Sequence, residues 1–199
     1  LALPNRILAK GHFKENTSSN ALRQATIETK WLLEGNTGWL EHPKFGSAVD
    51  VSMRAIGAYD EFPGFVVNPT NTSKFRLDVA SDVFILGFPL GISVESTPIW
   101  KRGTVASEPG LDIDGLPKFL VDTTSNKGMS GSPVIHRTNS GQMTDGNFAI
   151  EAGPPSVDLA GIYSGRIVHD SDLDAQLGIV WKAEVLEEIA NGQKLYIAQ

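Results

Sequence analysis

The residues best suited to chemistry lie in one stretch, Lys127-Gly128-Met129-Ser130-Gly131-Ser132-Pro133-Val134, preceded by Phe119-Leu120-Val121-Asp122. A serine between two glycines, after an apolar run and a polar loop and ahead of another apolar run, reads as strand, tight turn, strand. Glycine reaches backbone conformations closed to other residues, so the main chain can curl around Ser130 and turn two N–H groups toward one point beside its hydroxyl. That point would hold the oxyanion of an acyl transfer, with Ser130 as the attacking group. The nucleophile elbow of α/β-hydrolases does not fit, because its G-x-S-x-G needs a glycine where this chain has Ser132 and a helix where Pro133 and β-type residues follow. Taken alone, Gly-Ser-Gly-Ser also suits a flexible hairpin turn, so the surroundings decide.

Other chemistries find less support. The chain has no cysteine, which removes disulfides, a cysteine nucleophile and thiolate metal sites. No two of its 4 histidines have ligand spacing and no H-E-x-x-H occurs, so neither a metal nor a cofactor is expected. A net charge of -6 without clustered Lys and Arg argues against nucleic acid or an anionic membrane as partner. No stretch approaches a membrane span and the N-terminus lacks the pattern of a signal peptide, so the chain as given is expected to be soluble, with its compartment unassigned. It starts at Leu1 without a methionine, which suggests a piece of something longer.

The elements that must position Ser130 read as β throughout. Residues 4–13 and 25–33 carry strand composition, separated by an Asn- and Ser-rich loop, and 51–56 resumes a strand after a turn at Gly35-Asn36-Thr37-Gly38. Residues 57–73 form a long polar connection with two prolines, where a boundary is expected between an N-terminal unit, 1–73, and a C-terminal unit, 74–199. Six short strands follow at 82–86, 97–107, 118–123, 133–137, 158–163 and 177–181, a spacing that suggests a closed antiparallel barrel. Only 183–190 looks helical, ending near Asn191-Gly192.

The order of these pieces resembles the bacterial trypsin-like serine proteases, including the high-temperature-requirement type. Ser81-Asp82-Val83-Phe84-Ile85-Leu86-Gly87-Phe88-Pro89-Leu90-Gly91 is similar to the opening of their second barrel. Phe119 to Asp122 with Gly128 to Ile135 resembles their nucleophile segment, and Leu159-Ala160-Gly161-Ile162-Tyr163-Ser164-Gly165 resembles the strand beside which substrate lies. The resemblance implies an all-β, trypsin-like double antiparallel β-barrel, its first barrel incomplete here, with a C-terminal helix. It implies a serine endopeptidase with Ser130 as nucleophile, the N–H groups of Gly128 and Ser130 as oxyanion hole, and Asp50 orienting a histidine. Asp122 is a rival carboxylate with a structural role preferred. Ser164 and Gly165 would present backbone to an extended polypeptide substrate by strand addition, and Thr124 and Tyr163 would line the side-chain pocket at the scissile bond. Neither pocket residue is charged, which gives no support for a basic side chain there.

The histidine is where the chain departs from the family order of His, Asp, Ser. His136 and His169 follow Ser130, and His42 lies only eight residues before Asp50, as expected of a surface loop residue. His12 is the candidate within the chain. Only three strands are available for a first barrel that needs six, so the base is expected upstream of Leu1 and His12 is expected to be an ordinary strand residue. Half a barrel would expose strand edges and invite self-association. The alternative is a pseudoprotease or peptide-binding module that keeps the fold without catalysis.

Overall fold

The computed structural model of the chain describes residues 6–14, 22–30, 38–55, 77–95, 97–124, 126–138, 142–144, 147–149, 156–167 and 177–195. The first two strands, β1 (Arg6–Lys14) and β2 (Leu22–Lys30), pair antiparallel with His12 opposite Gln24. A two-residue strand, β3 (Leu40–Glu41), comes next. Of the strand expected at 51–56, the described residues 51–55 show one bridge, in which the Leu40 and Met53 backbones exchange hydrogen bonds of 2.7 and 3.0 Å. The boundary expected in 57–73 lies outside the described residues.

The remainder is mostly β: β4 (Asp82–Gly87), β5 (Ile99–Val105), β6 (Lys118–Asp122), β7 (Ser132–Thr138), β8 (Gln142–Thr144), β9 (Asn147–Ala149), β10 (Ser156–Arg166) and β11 (Leu177–Lys182). A short α-helix, α1 (Glu184–Gly192), and β12 (Lys194–Leu195) follow. Six strands close an antiparallel barrel in the order β4-β5-β6-β11-β10-β7, with β7 pairing back onto β4. Strands β4, β5 and β6 are consecutive neighbours, and the chain then crosses the barrel end to bring β7 beside β4, a Greek-key connection. Ser130 sits on that crossover.

Alternation fills the barrel. Val83 and Ile85 of β4, Val105 of β5, Phe119 and Val121 of β6, Val134 of β7, Tyr163 of β10 and Val180 of β11 all face inward and are buried. Closure leaves these six strands no open edge, which is the usual reason an antiparallel sheet curls on itself.

A second cluster lies on the outer face. Val180 points into the barrel, so its neighbour Trp181 points out, where it packs with Val49, Val185 and Ile189. Leu40, Phe45, Val51 and Met53 join from the segment 38–55. That segment is fastened to α1 by His42, whose ring is 1% exposed rather than on the surface as its loop context suggests. His42 Nδ1 accepts the N–H groups of Lys44 and Phe45 at 3.2 Å, which puts the ring proton on Nε2, where it is donated to Glu188 Oε2 at 2.5 Å. Pairing of β3 with β12 and an ion pair from Lys194 to Glu41 at 2.7 Å complete the attachment.

Candidate functional site

The crossover between β6 and β7 is fixed by its backbone. Gly128 and Gly131 adopt φ of 91° and 83°, left-handed values that favour glycine. The Lys127 carbonyl accepts the Leu90 N–H at 2.7 Å, the Met129 carbonyl accepts the Ser132 N–H at 3.1 Å, and Gly131 N–H donates to Tyr163 O at 2.7 Å. In a trans peptide the N–H points opposite the C=O, and no peptide bond here is cis. The Gly128 N–H therefore points away from Leu90, and the Ser130 N–H away from the turn. Among the described residues neither has a backbone acceptor. The side chain of Met129, between them, is buried in the barrel core and anchors the loop.

Ser130 is exposed, and its Oγ donates to Ser164 O at 2.6 Å. The strand register explains why that carbonyl is available. Tyr163 pairs with Val180 and Gly165 with Ile179, so Ser164 falls in a bulge and is left out of the ladder to β11. Gly165 is half-buried beside it, and Thr124 is exposed on the crossover. Gly128, Ser130, Ser164, Gly165 and Thr124 thus belong to one end of the barrel, where β6 and β10 end and β7 begins.

Three other residues singled out in the sequence are placed as follows. Tyr163 is 1% exposed with its ring in the barrel core, so it does not form an open wall. Its hydroxyl is buried and without a hydrogen-bond partner. Asp122 is exposed and faces outward, since its neighbour Val121 faces the core. Asp50 is exposed between buried Val49 and half-buried Val51, so the carboxylate is turned away from the outer cluster that holds its segment. No hydrogen bond or ion pair joins Asp50 to Ser130 among the described residues.

The histidines are also placed. His136 lies on β7 opposite Val83 and Asp158, 3% exposed inside the barrel, four residues beyond Ser132 and so about 13 Å along the strand. Burial pushes its pKa below the ordinary imidazole value, against the pull of Asp158, Asp78 and Asp82. His42 is committed to Glu188. His12 lies in β1, its side chain outside the described residues, as is His169.

One group escaped the reading of the sequence. Lys101 of β5 pairs with Ile85 of β4, which is in the core, so its side chain points into the barrel. Its Nζ is buried without a partner, and burial lowers its pKa. No sequence signal marks it, because a lysine in a short strand is ordinarily a solvent-facing residue.

Comparison with known proteins finds no matching family, no similar curated sequence and no similar solved structure, so the functional reading rests on the geometry and on the sequence motifs.

Proposed function

We propose that the chain belongs to a serine endopeptidase of the trypsin-like, double-β-barrel kind, with the closed barrel as the second of its two barrels. The observation that carries this reading is the crossover itself. Its carbonyls at Lys127 and Met129 are used by the fold, and its N–H groups at Gly128 and Ser130 are turned the other way beside an exposed hydroxyl. An extended polypeptide would lie along the bulged end of β10 at Ser164 and Gly165.

Ser130 Oγ attacks the peptide carbonyl carbon while its proton passes to a histidine oriented by Asp50. The tetrahedral oxyanion is held by the Gly128 and Ser130 N–H groups, donors of a kind worth about 10²–10³ in turnover. The histidine then gives its proton to the departing amine, leaving an acyl group on Ser130. Water, deprotonated by the same histidine, releases it. His12 and a histidine N-terminal to Leu1 are the candidates for this base, and no metal or cofactor enters.

A fluorophosphonate probe on the full-length protein should label Ser130 and fail on Ser130→Ala; labelling that persists in the variant refutes the assignment. The second reading is a peptide-binding module without catalysis. It is favoured by the bond from Ser130 Oγ to Ser164 O, which occupies the proton that a base would take. Probe-inert protein that still binds extended peptides would select it.

A further inference from the structure

Four large apolar side chains stand exposed on the segment that leads from β4 toward β5: Phe88, Leu90, Ile92 and Val94. Residues 88–94 carry no ionisable group. Single apolar residues scattered on a surface need no explanation, but alternate positions along one short segment form a patch. Leu90 is the sharpest case. Its backbone lies at φ 55° and ψ 23°, in the left-handed region that suits glycine and strains leucine. Its side chain is 67% exposed and belongs to neither hydrophobic cluster. The fold uses Leu90 for its N–H, bonded to Lys127 O at 2.7 Å, and a glycine would supply that bond equally well. A leucine here strains the backbone and buries little, and such an outlier beside a candidate site points to a role outside folding.

The patch adjoins Ser130. At this end of the barrel β7 stands between β10 and β4. Ser132, the first residue of β7, pairs with Tyr163 of β10, and a Cβ on Gly87, the last residue of β4, would strike Ser132 Oγ. The crossover leading into β7 is thus flanked on both sides. Toward β10, Ser164 O accepts the Ser130 hydroxyl. Toward β4, Phe88 O lies against Gly128 and the Leu90 N–H reaches Lys127 O. Ser164 and Leu90 therefore lie on opposite sides of Ser130.

On the hydrolase reading, on which this inference rests, the acyl half of an extended peptide follows Ser164 and Gly165. An extended chain does not turn back on itself, so its amine half passes over Ser130 and leaves along residues 88–94. A side chain arriving there meets exposed apolar groups and no counter-charge on that segment. An apolar one gains by leaving water, whereas a charged one loses hydration without compensation. We infer that Leu90, with the exposed Phe88 two residues before it, sets a preference for Leu, Ile, Val or Phe in the first two positions after the scissile bond.

The test is digestion of a proteome-derived peptide library of known composition by the full-length protein, with the cut sites read by mass spectrometry. Leu, Ile, Val and Phe together should be enriched about three- to tenfold in the two positions after the cut, the increment of partly burying one apolar side chain. Leu90→Gly should erase that enrichment while the acyl-side profile stays as it was. It should melt within a few degrees of the wild type, since glycine suits the left-handed backbone. Leu90→Asp should replace the apolar preference with one for Lys and Arg. Cleavage without an amine-side preference, labelled protein that cuts nothing in the library, or a preference intact in Leu90→Gly overturns this inference alone. Protein that neither cuts nor takes the fluorophosphonate label refutes the hydrolase reading and this inference with it. A dimer in sedimentation velocity that becomes a monomer in Leu90→Gly makes the patch an interface between copies, and that too overturns the inference.

Discussion

Replacing Gly128 by alanine tests the crossover most directly. At φ 91° a Cβ costs about 1–2 kcal/mol, because it meets the adjoining carbonyl. At this position it would also collide with the backbone oxygen of Phe88, and the nearest relief is a shift of the peptide between Lys127 and Gly128. That shift breaks the bond from Leu90 N–H to Lys127 O, worth about another 1 kcal/mol. The sum is about 2–3 kcal/mol, or roughly 4–12 °C in melting temperature for a chain of this size. Gly131→Ala is the control: its φ is 83°, but a Cβ there would have nothing within 4 Å. It carries the conformational cost without the collision, about 1–2 kcal/mol. Thermal melts followed by circular dichroism on both variants separate the two contributions. A Gly128→Ala protein no less stable than Gly131→Ala would refute the account of how the loop is held. On the hydrolase reading, displacing the Gly128 N–H should also slow fluorophosphonate labelling of Ser130 by about 10²-fold.

Further predictions concern the frame. His136 is buried with its pKa below the ordinary value of 6.5. The unfolded chain therefore binds the proton first as pH falls, and stability declines below about pH 6.5 until the folded-state value is passed. Urea midpoints at pH 7.5 and 5.5 should show that loss, and His136→Gln should shrink it; an unchanged acid slope in the variant would exclude His136 as its source. Gly178→Ala would drive a Cβ into the Tyr163 ring and should cost about 1–3 kcal/mol. The same change in a Tyr163→Leu background should cost less, and equal costs would remove the contact from the account. His42→Ala should destabilise by about 2–3 kcal/mol and speed hydrogen exchange in 40–53 and α1 together, since one buried ring joins them. Glu188→Ala should do less, because that carboxylate is 52% exposed.

The barrel strands were legible in the sequence because each is a short alternating run bounded by Gly, Pro or Asn, and α1 because 183–190 has helical spacing. Register and closure were not, since no local pattern says that β7 returns to β4. The pair β8 and β9 was overlooked although Asp145-Gly146 stands between them, a dipeptide that is itself a strong hairpin signal. His42 looked like a loop residue because its partner Glu188 is 146 residues away. The loop around Ser130 was readable from its glycines, whose positive φ the structure shows. Lys101 was not, because its inward direction depends on pairing with Ile85, and its neighbours Trp100 and Arg102 are both exposed.

The Greek-key crossover bears on timing. Ser130 acquires its setting from three separate stretches: the 88–90 segment through Leu90, the crossover itself, and β10 through Tyr163 and Ser164. The pairing of Ile85 with Val134 alone spans 49 positions, and contacts so distant in sequence form late because the intervening chain must first be ordered. On an emerging or half-opened chain Ser130 is an ordinary hydroxyl, no different from any other serine. The same dependence runs in reverse: fraying of β10 withdraws both carbonyls that steady the loop, so the geometry around Ser130 is lost before the rest of the barrel comes apart.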